Sequence, residues 1–92
     1  MEMSADTMVQ RVKGVPFTRL GDELLAVDSE GGYVYALNET GGMVWDWLES
    51  PMAVDELCRR LRQTFDVDEP TCLAAVTQVL RGLEDAGLVE IV

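Results

Sequence analysis

The chain has no histidine, only two cysteines, and seven basic residues against seventeen acidic ones. Each shortage excludes something. Without histidine, and with Cys58 and Cys72 outside any CxxC pairing, the side chains that build most transition-metal sites are missing, so no metal is expected. The same lack removes the commonest general base, and neither cysteine has a basic partner at readable spacing. The chain is therefore read as no enzyme, with no catalytic residue and no cofactor. A net charge of −10 repels phosphate backbones and anionic lipid, which argues against nucleic acid and membrane as partners. No apolar run approaches the ~20 residues of a membrane span, and no basic stretch followed by an apolar one opens the chain as a secretion signal would. The expected location is the cytoplasm, where both cysteines stay reduced at apolar positions of helices.

What is present fits one domain. At 92 residues, a fold buries only about 60–65% of its unfolded surface and has little room for an active-site cavity, which favours a binding module. Residues 1–13, "MEMSADTMVQRVK", show no period and are read as a flexible N-terminal tail, with the folded domain over 14–92. "VPFTRL", "ELLAVDS" and "YVYAL" are three short runs rich in β-branched and aromatic residues, separated by Gly21-Asp22 and by "EGG". That pattern predicts a three-stranded antiparallel meander.

After Leu37 the apolar period changes from two to about 3.6. Asn38 is placed to cap a first helix carrying Val44, Trp47 and Leu48, and Ser50-Pro51 breaks it. "AVDELCRRLRQTF" sets Val54, Leu57, Cys58, Leu61 and Phe65 on one face of a second helix, with Arg59, Arg60 and Arg62 turned to solvent. "DVDEP" then supplies a cap in Asp66 or Asp68 and a first-turn proline for a third helix. Its stripe of Cys72, Leu73, Val76, Val79, Leu80 and Leu83 is wider than the ~100° of a helix packed on one side, so one margin is free to face something besides the core. Gly87 ends that helix with Leu88 folding back, and "LVEIV" is read as an extended tail. The expected fold is α+β and winged-helix-like, a three-stranded meander followed by a three-helix bundle.

Two rivals are weak on their chemistry. A carrier protein needs an Asp-Ser pair opening a helix, and the only such pair, Asp28-Ser29, precedes a strand. A winged-helix DNA-binding regulator would read the major groove with the third helix, but there Arg81 is the single cation, among Glu69, Glu84 and Asp85. What remains is recognition through backbone and apolar surface. The third predicted strand, Tyr33, Val34, Tyr35, Ala36 and Leu37, is the edge of the meander, and it has no lysine, proline or charge to block a further strand.

The run from "YVYALNETGGMVWDWL" through "VDEL" and "FDVD" to "LEDAGLV" resembles the family of the pyrroloquinoline-quinone biosynthesis protein D, also called the RiPP precursor peptide recognition element. The resemblance spans residues 15–92. It implies that the leader segment of a ribosomally made precursor peptide adds as a fourth strand beside residues 33–37, in the groove against the third helix. The implied site comprises Tyr33, Val34, Tyr35, Ala36 and Leu37 as the pairing edge and Cys72, Val76, Val79 and Leu83 as groove wall. By their charge, and not by the resemblance, Asp68 and Glu69, with Asp66, Glu84 or Asp85, are expected to attract basic leader residues. The implied partners are the precursor and a separate maturation enzyme. Read as a whole small protein, the chain resembles the stand-alone members of lasso-peptide pathways, which serve a leader peptidase and a cyclase; the alternative is a protein D-type peptide chaperone for a radical SAM enzyme. Monomer or weak homodimer through the open edge is expected. One departure is Ala53, where the family commonly caps the second helix with serine or threonine, leaving Ser50 as a substitute.

Overall fold

The computed structural model describes residues 3–28 and 32–92 of the chain. Among these residues, six strands and three helices follow one another as β1 (Met8–Arg11), β2 (Phe17–Leu20), β3 (Glu23–Val27), β4 (Val34–Leu37), α1 (Glu39–Trp47), β5 (Met52–Ala53), α2 (Val54–Thr64), α3 (Glu69–Asp85) and β6 (Val89–Ile91). The three runs foreseen as a meander are β2, β3 and β4, antiparallel and in that order. Gly21, at φ +63°, makes the tight β2–β3 turn in a conformation side chains resist. The turn expected over "EGG" includes residues 30 and 31, which lie outside the described residues.

Pairing fixes two faces. Phe17, Ala26 and Tyr35 stand opposite one another, as do Arg19, Leu24 and Leu37, and this face carries α1. Leu24 and Ala26 are fully buried beneath Val44 and Trp45 of the shared core. Phe17 meets the Trp45 ring edge-on at 5.7 Å, and Arg19 pairs with Asp46. The helix starts at once after β4 because the Asn38 side chain accepts from Gly41 N–H at 2.9 Å.

A second sheet, in the order β5-β1-β6, corrects two expectations. Residues 8–11 are not a tail but the central strand, paired with residues 52–53 on one side and 89–91 on the other. The terminal "LVEIV" is likewise tied down, as β6. The reason lies in partners distant in sequence: "MVQR" has a single fully buried anchor, Val9, so no local period announces it. The same segment resolves the missing cap of α2. Ala53 makes no side-chain cap, and the N–H groups of Val54 and Asp55 donate to the carbonyls of Thr7 and Ala5, both at 3.0 Å. Backbone from residues 5–7, rather than Ser50, satisfies that helix end.

α2 and α3 pack against each other through Leu57, Cys58, Leu61, Cys72, Val76 and Leu80. α3 begins at Asp68, whose carboxylate accepts from Thr71 N–H at 3.4 Å. It ends at Gly87, φ +75°, where Gly87 N–H reaches Glu84 O and Leu88 N–H reaches Leu83 O, both at 2.9 Å. Leu88 folds back into the core, as the sequence foresees. Among the described residues, no helix is long and apolar enough to cross a membrane.

Candidate functional site

β4 pairs with β3 on one side, and no strand pairs with its other side among the described residues. Its hydrogen-bond phase follows from one contact. Asp28 N–H donates to Tyr33 O at 2.8 Å, which makes that position a bonded pair. Because bonded and non-bonded pairs alternate along an antiparallel ladder, Tyr35 and Leu37 direct their N–H and C=O groups to β3. Val34 and Ala36 direct theirs to the open side. The edge therefore offers two donors and two acceptors to a further strand. Tyr35 and Leu37 turn their side chains toward the helices and are half-buried, whereas Val34, 58% exposed, and Ala36 face away. Tyr33 precedes the strand and is 69% exposed.

Where β4 runs into α1, an apolar groove of about 220 Å³ opens. Thr40, Gly41 and Val44 of α1 form one wall, Cys72, Val76 and Val79 of α3 the other, and Phe65 and Val67 close the end beyond α2. Gly41 is needed at this junction: a Cβ there would lie 3.2 Å from Leu37 Cβ, so a side chain would press on the end of β4. Ala75 and Thr71 also line the groove and are exposed, so its mouth is open to solvent.

The residues singled out from the sequence divide accordingly. Cys72, Val76 and Val79 do line this groove, and the breadth of the α3 stripe is explained by a core line of Cys72, Val76, Leu80 and Leu83 flanked by Val79 on the groove side and by the exposed Leu73 on the other. Leu83 is not groove wall; at 2% exposure it belongs to the core nearer the helix end. Asp68 is occupied as the α3 cap, and its carboxyl is held below the usual range by the Thr71 side chain and then by the Thr71 N–H. Glu69 lies 3.7 Å from Arg62. Nor are the α2 arginines simply solvated: Arg59 and Arg60 both bind Glu56, and Arg60 covers the Trp47 ring at 5.7 Å.

The α1 wall and the Phe65–Val67 end escaped the sequence reading. Phe65 is expected on the face of α2, and the Gly41-Gly42 pair, poor for a helix, suits the close packing found at this junction. The lining of the groove is almost wholly apolar, with Cys72 as its thiol. Cys72 donates to Cys58 O at 3.7 Å, both thiols are free and buried, and burial, with Cys72 beside it, pushes the Cys58 thiol up to about 11.

No curated protein matches the chain. Two solved structures share its fold. "TbiB1 in Complex with the TbiA(beta) Leader Peptide" is 23% identical, covers 88% of this chain and 94% of its own, and superposes with a TM-score of 0.79. The PqqD truncation of Methylobacterium extorquens PqqCD, described as a functional and stand-alone RiPP recognition element, is 18% identical, covers 96% of this chain and 94% of its own, and gives 0.78. The family model described as "Coenzyme PQQ synthesis protein D (PqqD)" matches residues 23–89, from the first residue of β3 to the first of β6. With more than two thirds of its length inside that match, this chain belongs to the PqqD family.

Proposed function

We propose that this chain binds the leader segment of a ribosomally made precursor peptide by strand addition to β4. The observation that carries the reading is the open ladder at Val34 and Ala36 beside an apolar groove, in a member of this family. The named complex of TbiB1 with a leader peptide supports it, as a property of that protein. A guest strand alternates its side chains. Those on the helix side of the β2-β3-β4 sheet point toward α3 and supply anchors for the groove.

Magnitudes assign the roles. Ordering about ten leader residues costs on the order of 10 kcal/mol or more in backbone freedom. Four ladder bonds at roughly 0.5–1.5 kcal/mol each offset only part of this. Anchors at about 1.5–3 kcal/mol each make up the difference. The ladder therefore sets register and direction, while the groove sets which leader binds.

In this reading the chain performs no chemistry of its own and acts in the cytoplasm, presenting the leader to a separate maturation enzyme such as the leader peptidase or cyclase of a lasso-peptide pathway. Calorimetric titration with a synthetic leader from the short reading frame beside its gene tests the proposal. A saturable one-to-one isotherm with a dissociation constant between roughly micromolar and nanomolar is expected. Heat no greater than that from a scrambled peptide of the same composition would refute it.

A further inference from the structure

Of the residues that line the groove, Cys72 alone carries sulfur. Its thiol donates to Cys58 O at 3.7 Å, and the Cys58 thiol has the Cys72 side chain as a hydrogen-bonding neighbour. The two cysteines of the chain, one on α2 and one on α3, therefore meet within the helix pair that backs the groove. A sulfur that touches the backbone of Cys58 needs only a turn of its own side chain to reach the sulfur of that residue. Access is one-sided. Buried thiols are inert where no reagent reaches them, but the groove mouth is open at Thr71 and Ala75, and a space of about 220 Å³ admits a molecule little larger than water. Cys58 lines no part of that space.

We infer that Cys72 and Cys58 form a reversible disulfide when the empty groove meets hydrogen peroxide, and that this bond and a bound leader oppose one another. In the first step the Cys72 thiolate, its proton given to water, attacks one peroxide oxygen; the O–O bond breaks, hydroxide leaves, and Cys72 becomes a sulfenic acid. In the second the Cys58 sulfur attacks the Cys72 sulfur; the S–S bond forms, the S–O bond breaks, and the departing hydroxide takes up a proton as water. In total two thiols give up two electrons and two protons, and one hydrogen peroxide becomes two waters. Geometry sets the order. Cys72 meets the groove, whereas burial favours the protonated Cys58 thiol, which acts only on the neighbour already in contact with it. In a reducing cytoplasm such bonds are transient and serve as sensors. The bond turns the Cys72 sulfur from the groove wall and ties that wall to α2, so the surface offered to a leader anchor changes. An anchor seated in the groove, in turn, covers Cys72 and keeps peroxide out. By linkage the two events weaken each other by one common factor. This coupling rests on the proposed leader site; the disulfide itself does not.

The test treats the intact protein with hydrogen peroxide, with and without saturating synthetic leader, and follows its mass. Expected without leader is the loss of two hydrogens, restored by dithiothreitol, with the tryptic peptides over residues 20–59 and 63–81 joined. The melting temperature of the oxidised protein rises by about 5 °C or more, because a link across residues 58–72 restricts the unfolded chain. Cys58→Ala keeps Cys72 but cannot form the link, so its melting temperature does not rise. Leader affinity of the oxidised wild type falls about fivefold or more and recovers in dithiothreitol, which leaves methionine sulfoxide untouched. Saturating leader slows the mass change to a similar degree. An unchanged mass overturns the inference, as do oxygen added to Cys72 with no link, a link between two molecules instead of within one, and a link that leaves leader affinity unaltered. If the leader fails to bind the reduced protein while the two peptides still join, strand addition falls and the disulfide stands.

Discussion

Replacing Ala75 with leucine should close the groove without disturbing the fold. Ala75 sits on the exposed margin of α3, lines the groove, and lies outside the core line of Cys72, Val76, Leu80 and Leu83. Leucine is nearly as good a helix former as alanine, so α3 loses little. The larger side chain at this position narrows a space of about 220 Å³, which holds few side chains. A displaced leader anchor forfeits about 1.5–3 kcal/mol of apolar burial, a loss of roughly 10- to 150-fold in affinity. Fluorescence anisotropy with a labelled synthetic leader reads this change, and circular dichroism confirms an unaltered fold. Leu73→Ala is the control, because Leu73 lies on the opposite margin of α3 and does not line the groove. Affinity of Ala75→Leu within twofold of the wild type would refute the assignment of this groove to the leader.

Ala36→Pro removes one donor from the open side of β4 while sparing the bonds to β3; leader affinity should fall at least severalfold, with thermal stability nearly unchanged. Deleting residues 1–11 removes a central strand, the buried Val9 and the carbonyls that cap α2, so urea denaturation should show a loss of about 3 kcal/mol or more, where trimming a true tail would cost under ~0.5. Asn38→Ala should cost about 1 kcal/mol, lowering the melting temperature by roughly 4–8 °C. The Cys58 thiol, raised from 9.0 to about 11, makes stability fall with pH: the folded state holds the proton that the unfolded chain releases. Denaturation midpoints should be level below about pH 9 and decline between about 9 and 11, and Cys58→Ala should flatten that decline.

How much of this was legible beforehand follows from where the partners lie in sequence. The meander, three helices, the Asn38 and Asp68 caps and the Gly87 stop are local, written in periods and cap residues spaced a few positions apart. β1 and β6 are not local: each has three or four residues, and the pairing joins residues 9 and 91 across almost the whole chain. The missing cap at Ala53 was visible, but its replacement by carbonyls of residues 5 and 7 was not, since backbone acceptors leave no mark on side-chain identity. In the site, the broad α3 stripe marks Cys72, Val76 and Val79 as apolar, and the family resemblance, not the stripe, assigns them to a groove wall. Leu83 shares that stripe, and only packing separates core from margin. Asp68 is legible as a candidate cap, and what the sequence does not show is that capping occupies the carboxylate assigned to basic leader residues, or that Glu69 faces Arg62.

The most direct test of strand addition is amide hydrogen exchange by NMR, with and without the synthetic leader. Val34 and Ala36 N–H groups point to the open side of β4, whereas Tyr35 and Leu37 are already bonded to β3. The account predicts that leader addition slows exchange at Val34 and Ala36 markedly and at Tyr35 and Leu37 little, with shifts along Cys72–Val79. Tight leader binding that leaves exchange at Val34 and Ala36 unchanged would contradict it.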